Sequence, residues 1–294
     1  MALLESLDSS KFKHLIYVGC SDSRHVGFPD KSVLKKLGNP EFHVISNAGA
    51  DVASGDLESL VNKLEKIEKT VRNRKEILVI ATAHSSPECG GAHVDEKTVE
   101  TLKNDLKKLN FNLQDYLNAY EYGEKKVFSS VPSKPEFRAK KQAEVLKLYG
   151  VNYVTGVYEL DKSVFKPLFA SQKFLIDLLS EKIVGKKFEH DEELLKHQKP
   201  RVLLLSIAGR HARIDKDLKT PGKAFHVTIN ANGKPSAKSV LSLVYYAHLN
   251  PEKGEILLVG SKIELEKLRK FVNADELLQH MTRLGKWKIK EKRV

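Results

Sequence analysis

Apolar and polar positions along the N-terminal half follow two rhythms. Leu15-Ile16-Tyr17-Val18-Gly19 is a continuous apolar run that gives way to Ser21-Asp22-Ser23-Arg24, the pattern of a buried strand entering a loop. Phe42-His43-Val44-Ile45-Ser46 repeats it, followed by the turn sequence Asn47-Ala48-Gly49-Ala50. Leu57, Leu60, Val61, Leu64 and Ile67 then recur at helical spacing, with Asp51 and Asp56 near the start, where acidic side chains suit the helix dipole. Glu76-Ile77-Leu78-Val79-Ile80-Ala81 predicts a third strand. Strands alternating with helices predict an α/β fold on a largely parallel sheet. In such sheets the loops beyond the carboxyl ends of the strands build the site, and Cys20, Asp22, Arg24 and His84 fall there.

The same order returns in the second half. Arg210-His211 matches Arg24-His25 at an offset of 186 residues, beyond the apolar run Val202-Leu203-Leu204-Leu205. Phe225-His226-Val227 matches Phe42-His43-Val44 at 183, an offset that also sets Asn230-Ala231 on Asn47-Ala48 and Ser242-Leu243-Val244 on Ser59-Leu60-Val61. Glu255-Ile256-Leu257 matches Glu76-Ile77-Leu78 at 179. The expectation is a tandem duplication, with residues 1–165 as one repeat and 166–294 as the other, introduced by linking helices. On this alignment Cys20 becomes Ser206, Asp22 becomes Ala208 and His84 becomes Ile263, which leaves the chemistry in the first repeat. Between the repeats, a helix over 138–148, a strand over 150–158 and helical character over 165–198 are expected.

With 294 residues, 41% hydrophobic and 30% charged, the chain is long enough to bury a core and too apolar for general disorder. It contains no apolar run long enough to span a membrane, and its first residues carry acids, so a soluble, cytoplasmic protein without a membrane partner is expected. The net charge of +12 is spread over lysine-rich helical stretches such as 97–108 and 262–270 with interleaved acids, the composition of solvated helix faces rather than of a nucleic-acid site. The tail Lys286-Trp287-Lys288-Ile289-Lys290-Glu291-Lys292-Arg293 is the densest basic run, read either as a frayed terminus or as the place where nucleic acid would bind.

The two cysteines, Cys20 and Cys89, allow by number alone one disulfide, two thiols or a metal site. Together with His84 they form two sulfur ligands and one imidazole, a set that suits zinc and leaves one tetrahedral position open. Zinc in such a site lowers the pKa of bound water to about 7, and Asp22 and Arg24 lie close in sequence to serve it. His14, His25, His43 and His93 read as structural or surface residues, with His93 close enough to Cys89 in sequence to be a spare ligand. In a non-catalytic site Glu88 or His93 would close the fourth position.

Cys20-Ser21-Asp22-Ser23-Arg24 after the first strand, Asn47-Ala48-Gly49 after the second and His84 to Cys89-Gly90-Gly91 after the third resemble the β-class carbonic anhydrases over residues 12–160. Two departures stand out. Ser85-Ser86-Pro87-Glu88 separates histidine from cysteine where the family has two residues, and Ala83 replaces the usual glycine. The resemblance implies zinc on Cys20, His84 and Cys89, an Asp22–Arg24 dyad beside it, and zinc-bound hydroxide hydrating carbon dioxide to bicarbonate and a proton, with Gly90 and Gly91 near the bicarbonate oxygens. It also implies a dimer-like assembly, which two fused repeats would build within one chain as an intrachain pseudo-dimer carrying one zinc. Further homo-oligomerisation is compatible with that assembly. The alternatives are a hydrolase for carbon disulfide or carbonyl sulfide on the same scaffold, and a non-catalytic zinc-bearing module with a basic nucleic-acid-binding surface.

Overall fold

The computed structural model describes residues 12–20, 31–49, 57–84, 94–129, 134–159, 164–180, 202–207 and 224–293. The first sheet is formed by β1 (His14–Cys20), β2 (Glu41–Asn47), β3 (Ile77–Ala83), β4 (Asn152–Glu159) and β5 (Val164–Ala170) in the order β2-β1-β3-β4-β5. Its first four strands are parallel, and β5 runs antiparallel to β4 across a bulge at Thr155/Gly156. A Cβ on Gly156 would collide with the Lys166 carbonyl, so only glycine lets β5 approach there. The second sheet is formed by β6 (Val202–Ile207), β7 (Ala224–Ile229), β8 (Gly254–Gly260) and β9 (Trp287–Arg293), all parallel, in the order β7-β6-β8-β9. The α/β class and the parallel sheets therefore match the expectation.

Helices cover both faces of the first sheet, as parallel strands buried on two sides require. Leu60, Leu64 and Ile67 of α2 (Leu57–Glu68) and Leu146 of α6 (Pro135–Leu148) pack on Ile16, Val18, Ile45, Val79 and Ala81. Val33 of α1 (Lys31–Lys36) and Leu175 and Leu179 of α7 (Lys173–Ser180) pack on the opposite face, against Leu15, Tyr17, Val44 and Ile80. The second sheet carries α8 (Ala237–Leu249), α9 (Lys262–Ala274) and α10 (Glu276–Arg283) on one face. Three further helices, α3 (Glu96–Lys108), α4 (Leu113–Ala119) and α5 (Glu124–Val127), follow β3 in the chain yet pack into this second core. Tyr116 and Tyr120 both donate to the buried Asp275 carboxylate, at 2.8 and 2.7 Å, and Asp275 also caps α10 through the Leu278 amide. Among the described residues, no helix is long and apolar enough to cross a membrane.

Several expectations are corrected. Residues 164–170 form β5 rather than helix, and helix begins only at Lys173. The basic tail is not frayed: it is strand β9, anchored by Trp287, whose Nε1 donates to the Asn250 carbonyl, and by Arg269–Glu291 and Lys290–Glu255 pairs. Two blocks of the internal alignment are out of register. Val44 faces α1 and α7, whereas Val227 faces α8, so matching Phe42-His43-Val44 to Phe225-His226-Val227 turns every side chain to the wrong face. Cys20 lies on the α2 side by alternation with Ile16 and Val18, while Ser206 alternates with Leu203 and Leu205 and faces away from α8. The Ile77/Ile256 and Leu60/Leu243 equivalences keep their faces.

The outer edges of β2 and β7 meet. The Ser46 amide donates to Thr228 Oγ1 at 2.9 Å, the Ala48 amide to Ser242 Oγ at 2.9 Å, and Ser239 Oγ to Asn47 Oδ1 at 2.9 Å. In the other direction, Asn230 Nδ2 donates to Glu58 Oε1 at 2.8 Å. The β2 edge therefore finds side-chain partners in the second half, which covers that open sheet edge. Beside this seam Lys66 of α2 pairs with Glu264 of α9 at 3.1 Å, and Glu264 completes a capping box with Ser261. Burial pushes the Glu264 carboxyl up, but hydrogen bonds from Ser261 and the charge of Lys66 outweigh it and hold the pKa at about 2, below the ordinary 4.5. A depressed carboxylate contributes stability that is present above 4.5 and is lost as pH falls toward 2. Glu264→Gln is expected to cost about 2 kcal/mol at neutral pH in urea unfolding, with the gap to wild type closing in acid. A pH-independent gap would contradict this assignment.

Candidate metal centre

The ladder registers bring two of the sequence-predicted ligands to one end of the first sheet. Cys20 pairs with Asn47, and Val18 pairs with Ala81, so β1 and β3 finish level and His84 follows directly after β3. Cys20 is 5% exposed and His84 is fully buried, alongside Asn47 and Ala48. Loops leave a parallel sheet at this end, which is why the residues there can be spared from packing for chemistry.

The turn after β2 is built into the centre. Gly49 adopts φ 85°, a left-handed conformation that side chains disfavour, and this points its amide at Cys20 Sγ, 3.2 Å away. A hydrogen bond received by sulfur favours thiolate over thiol, the form in which cysteine ligates metal. Arg138, near the start of α6 and 4% exposed, donates from Nη1 to the Gly49 carbonyl at 3.2 Å and from Nη2 to the His84 carbonyl. One rigid guanidinium thus ties the turn that contacts Cys20 to the backbone of His84. Beneath the site, on the opposite face, Tyr17 Oη and Thr82 Oγ1 lie 3.1 Å apart, and burial pushes the Tyr17 phenol upward. Gly19 makes room for that ring, since a Cβ there would lie 2.5 Å from it.

Asp22, Arg24, Cys89, Gly90 and Gly91 lie outside the described residues, as do the alternative ligands Glu88 and His93. Sequence reasoning missed Arg138, whose signal is faint. Arg138 and Gln142, four residues apart, interrupt the buried Ala139–Ala143–Leu146 stripe of α6, and a polar pair on a core-facing stripe marks buried polar work. His14 and His43, read from sequence as structural or surface residues, are hydrogen-bonded in the interior. Both are buried and, with Glu41, converge at the opposite end of the same strands, where the three could hold a metal ion.

Chemically, a buried sulfur and a buried imidazole at adjacent strand ends offer two of the three donors a zinc centre with an open position requires. Arg138→Lys keeps the charge but cannot reach both carbonyls. Loss of one charge-assisted hydrogen bond costs about 1.5–3 kcal/mol, so alkylation of Cys20, followed by peptide mass spectrometry, is expected to accelerate about tenfold or more. An unchanged rate would show that Arg138 does not hold the turn. No protein-family model matches the chain, and no curated protein matches it.

Proposed function

We propose that the chain is a zinc-dependent enzyme of the β-carbonic-anhydrase kind, hydrating carbon dioxide reversibly to bicarbonate and a proton. The observation that carries this reading is the joining of Cys20, Gly49, Arg138 and His84 at the carboxyl ends of β1, β2 and β3. Cys20, His84 and Cys89 would hold the metal. The donor set fits it: sulfur and imidazole are zinc ligands, and Cys20 already accepts an amide hydrogen bond suited to thiolate. Zinc so bound acts as a Lewis acid that brings the pKa of water to about 7. In this reading Asp22 would accept a hydrogen bond from the attacking water and so orient its lone pair. Arg24 would hold Asp22 away from the metal, and the backbone amides near Gly90 and Gly91 would steady the bicarbonate oxygens.

In this reading the two sheets are tandem repeats forming an intrachain pseudo-dimer. Support comes from the shared parallel order of four strands and from the crossed contacts of Asn47 with Ser239 and Asn230 with Glu58. The second half has kept the fold and supplies the wall of the first site. A reducing cytoplasm, in which Cys20 and Cys89 would not join in a disulfide, suits this reading.

Stopped-flow hydration assays on zinc-loaded full-length protein test the proposal. Cys20→Ser is expected to lose one zinc equivalent together with the activity. Asp22→Asn should keep its zinc and lose about 100-fold or more in rate. Full zinc retention by Cys20→Ser would remove the ligand assignment. Zinc-loaded wild type that fails with carbon dioxide yet hydrolyses carbon disulfide or carbonyl sulfide would overturn the substrate.

A further inference from the structure

The amino ends of β1 and β2 lie six residues of strand away from Cys20, about 20 Å at the rise of an extended chain. There His14 pairs directly with Glu41, and His43 follows two positions along β2. Alternation with Ile16 and Ile45 puts all three side chains on the face covered by α2. His14 is 5% and His43 is 1% exposed, while half of the Glu41 side chain faces solvent.

A hydrogen-bond relay sets the chemistry of His14. The Thr70 hydroxyl donates to the Ile67 carbonyl at 2.6 Å, so its oxygen is left to accept from His14 Nε2 at 2.7 Å. That places the His14 proton on Nε2 and leaves Nδ1 with an outward lone pair. Nδ1 lies 3.0 Å from His43 Nε2 and 3.5 Å from Glu41 Oε2, and His43 Nε2 lies 3.8 Å from Glu41 Oε1. A ring nitrogen fixed as an acceptor and a carboxylate, itself only an acceptor, thus close around a second imidazole nitrogen.

We propose that His14 Nδ1, His43 Nε2 and the Glu41 carboxylate bind a divalent transition-metal ion of borderline softness, such as zinc or cobalt, at a site separate from the Cys20 centre. Two imidazoles and a carboxylate are a donor set for such ions. Donor separations of 3.0–3.8 Å bracket the roughly 3.3 Å expected between ligands of a tetrahedral ion with bonds of about 2.0–2.1 Å. Thr70 is the outer-shell group that holds the His14 tautomer, and the exposed Glu41 gives the ion its way in. Lys63 and Lys13 oppose a cation here, but Glu41 and Glu76 offset them, and Lys13 is already paired with Glu76 at 2.9 Å. The ion would fasten edge strand β2 to β1 and, through Thr70, to the end of α2.

The test uses the demetallated full chain carrying Cys20→Ser, titrated with zinc by calorimetry and with cobalt by visible spectroscopy. One ion should bind, with d–d bands and no sulfur-to-cobalt charge-transfer band. Thr70→Val in that background should weaken binding about 10- to 100-fold. Glu41→Gln, a change at an exposed side chain, should weaken one of the ions bound by the otherwise wild-type chain at least about tenfold, independently of whether Cys20→Ser folds. No binding to a folded Cys20→Ser chain, or indifference to Glu41→Gln, would each overturn the site. Carbon dioxide hydration by the wild type is a separate readout, so failure here and failure of the enzymatic reading are distinguishable.

Discussion

Four backbone groups at the end of β2 have no strand to bond, and where their partners come from organises the molecule. The Ser46 and Ala48 amides are satisfied by Thr228 and Ser242 of the second half, the Gly49 amide by Cys20, and the Gly49 carbonyl by Arg138. A buried amide or carbonyl left unpaired costs about 1–3 kcal/mol, so this short segment holds its conformation only when all four partners are in place. It is both the seam between the sheets and one wall of the candidate centre. The second half thereby bears on the position of Cys20 without contributing a described ligand.

The exchange of helices strengthens that dependence. The helices that follow β3 bury Leu102, Leu106, Leu113 and Leu117 in the core of the second sheet, and the carboxylate of Asp275 collects two tyrosine hydroxyls from them. In chain order the helices of the second core lie between β3, which ends beside His84, and α6, whose Arg138 binds the His84 carbonyl. Displacing these helices would disturb both sheets, and with them the segment that carries the candidate ligands.

Much of the architecture was legible because apolar runs of strand length between helical stripes leave few alternatives to a parallel sheet. Cys20 and His84 were legible for the same reason, since polar residues that end such runs occupy the carboxyl edge. Register was not legible. Identical three-residue blocks, Phe42-His43-Val44 and Phe225-His226-Val227, point to opposite faces, because a one-residue slip costs nothing in sequence likeness but reverses every side chain. Strand β5 escaped notice because it is an edge strand containing Pro167, and β9 because alternating lysines, solvated on an edge, look like a tail. The His14–Glu41–His43 cluster depends on the β1–β2 register and was hidden with it.

The most direct test of the dependence of the centre on the second half is amide hydrogen exchange at Ala48 and Gly49 in wild type and in Ser242→Ala. If the segment is held as a unit, removing the Ser242 hydroxyl speeds exchange at both amides, including Gly49, which Ser242 does not touch. Faster exchange at Ala48 with Gly49 unchanged would mean that the seam and the candidate centre are independent, and the account would fail at its central link.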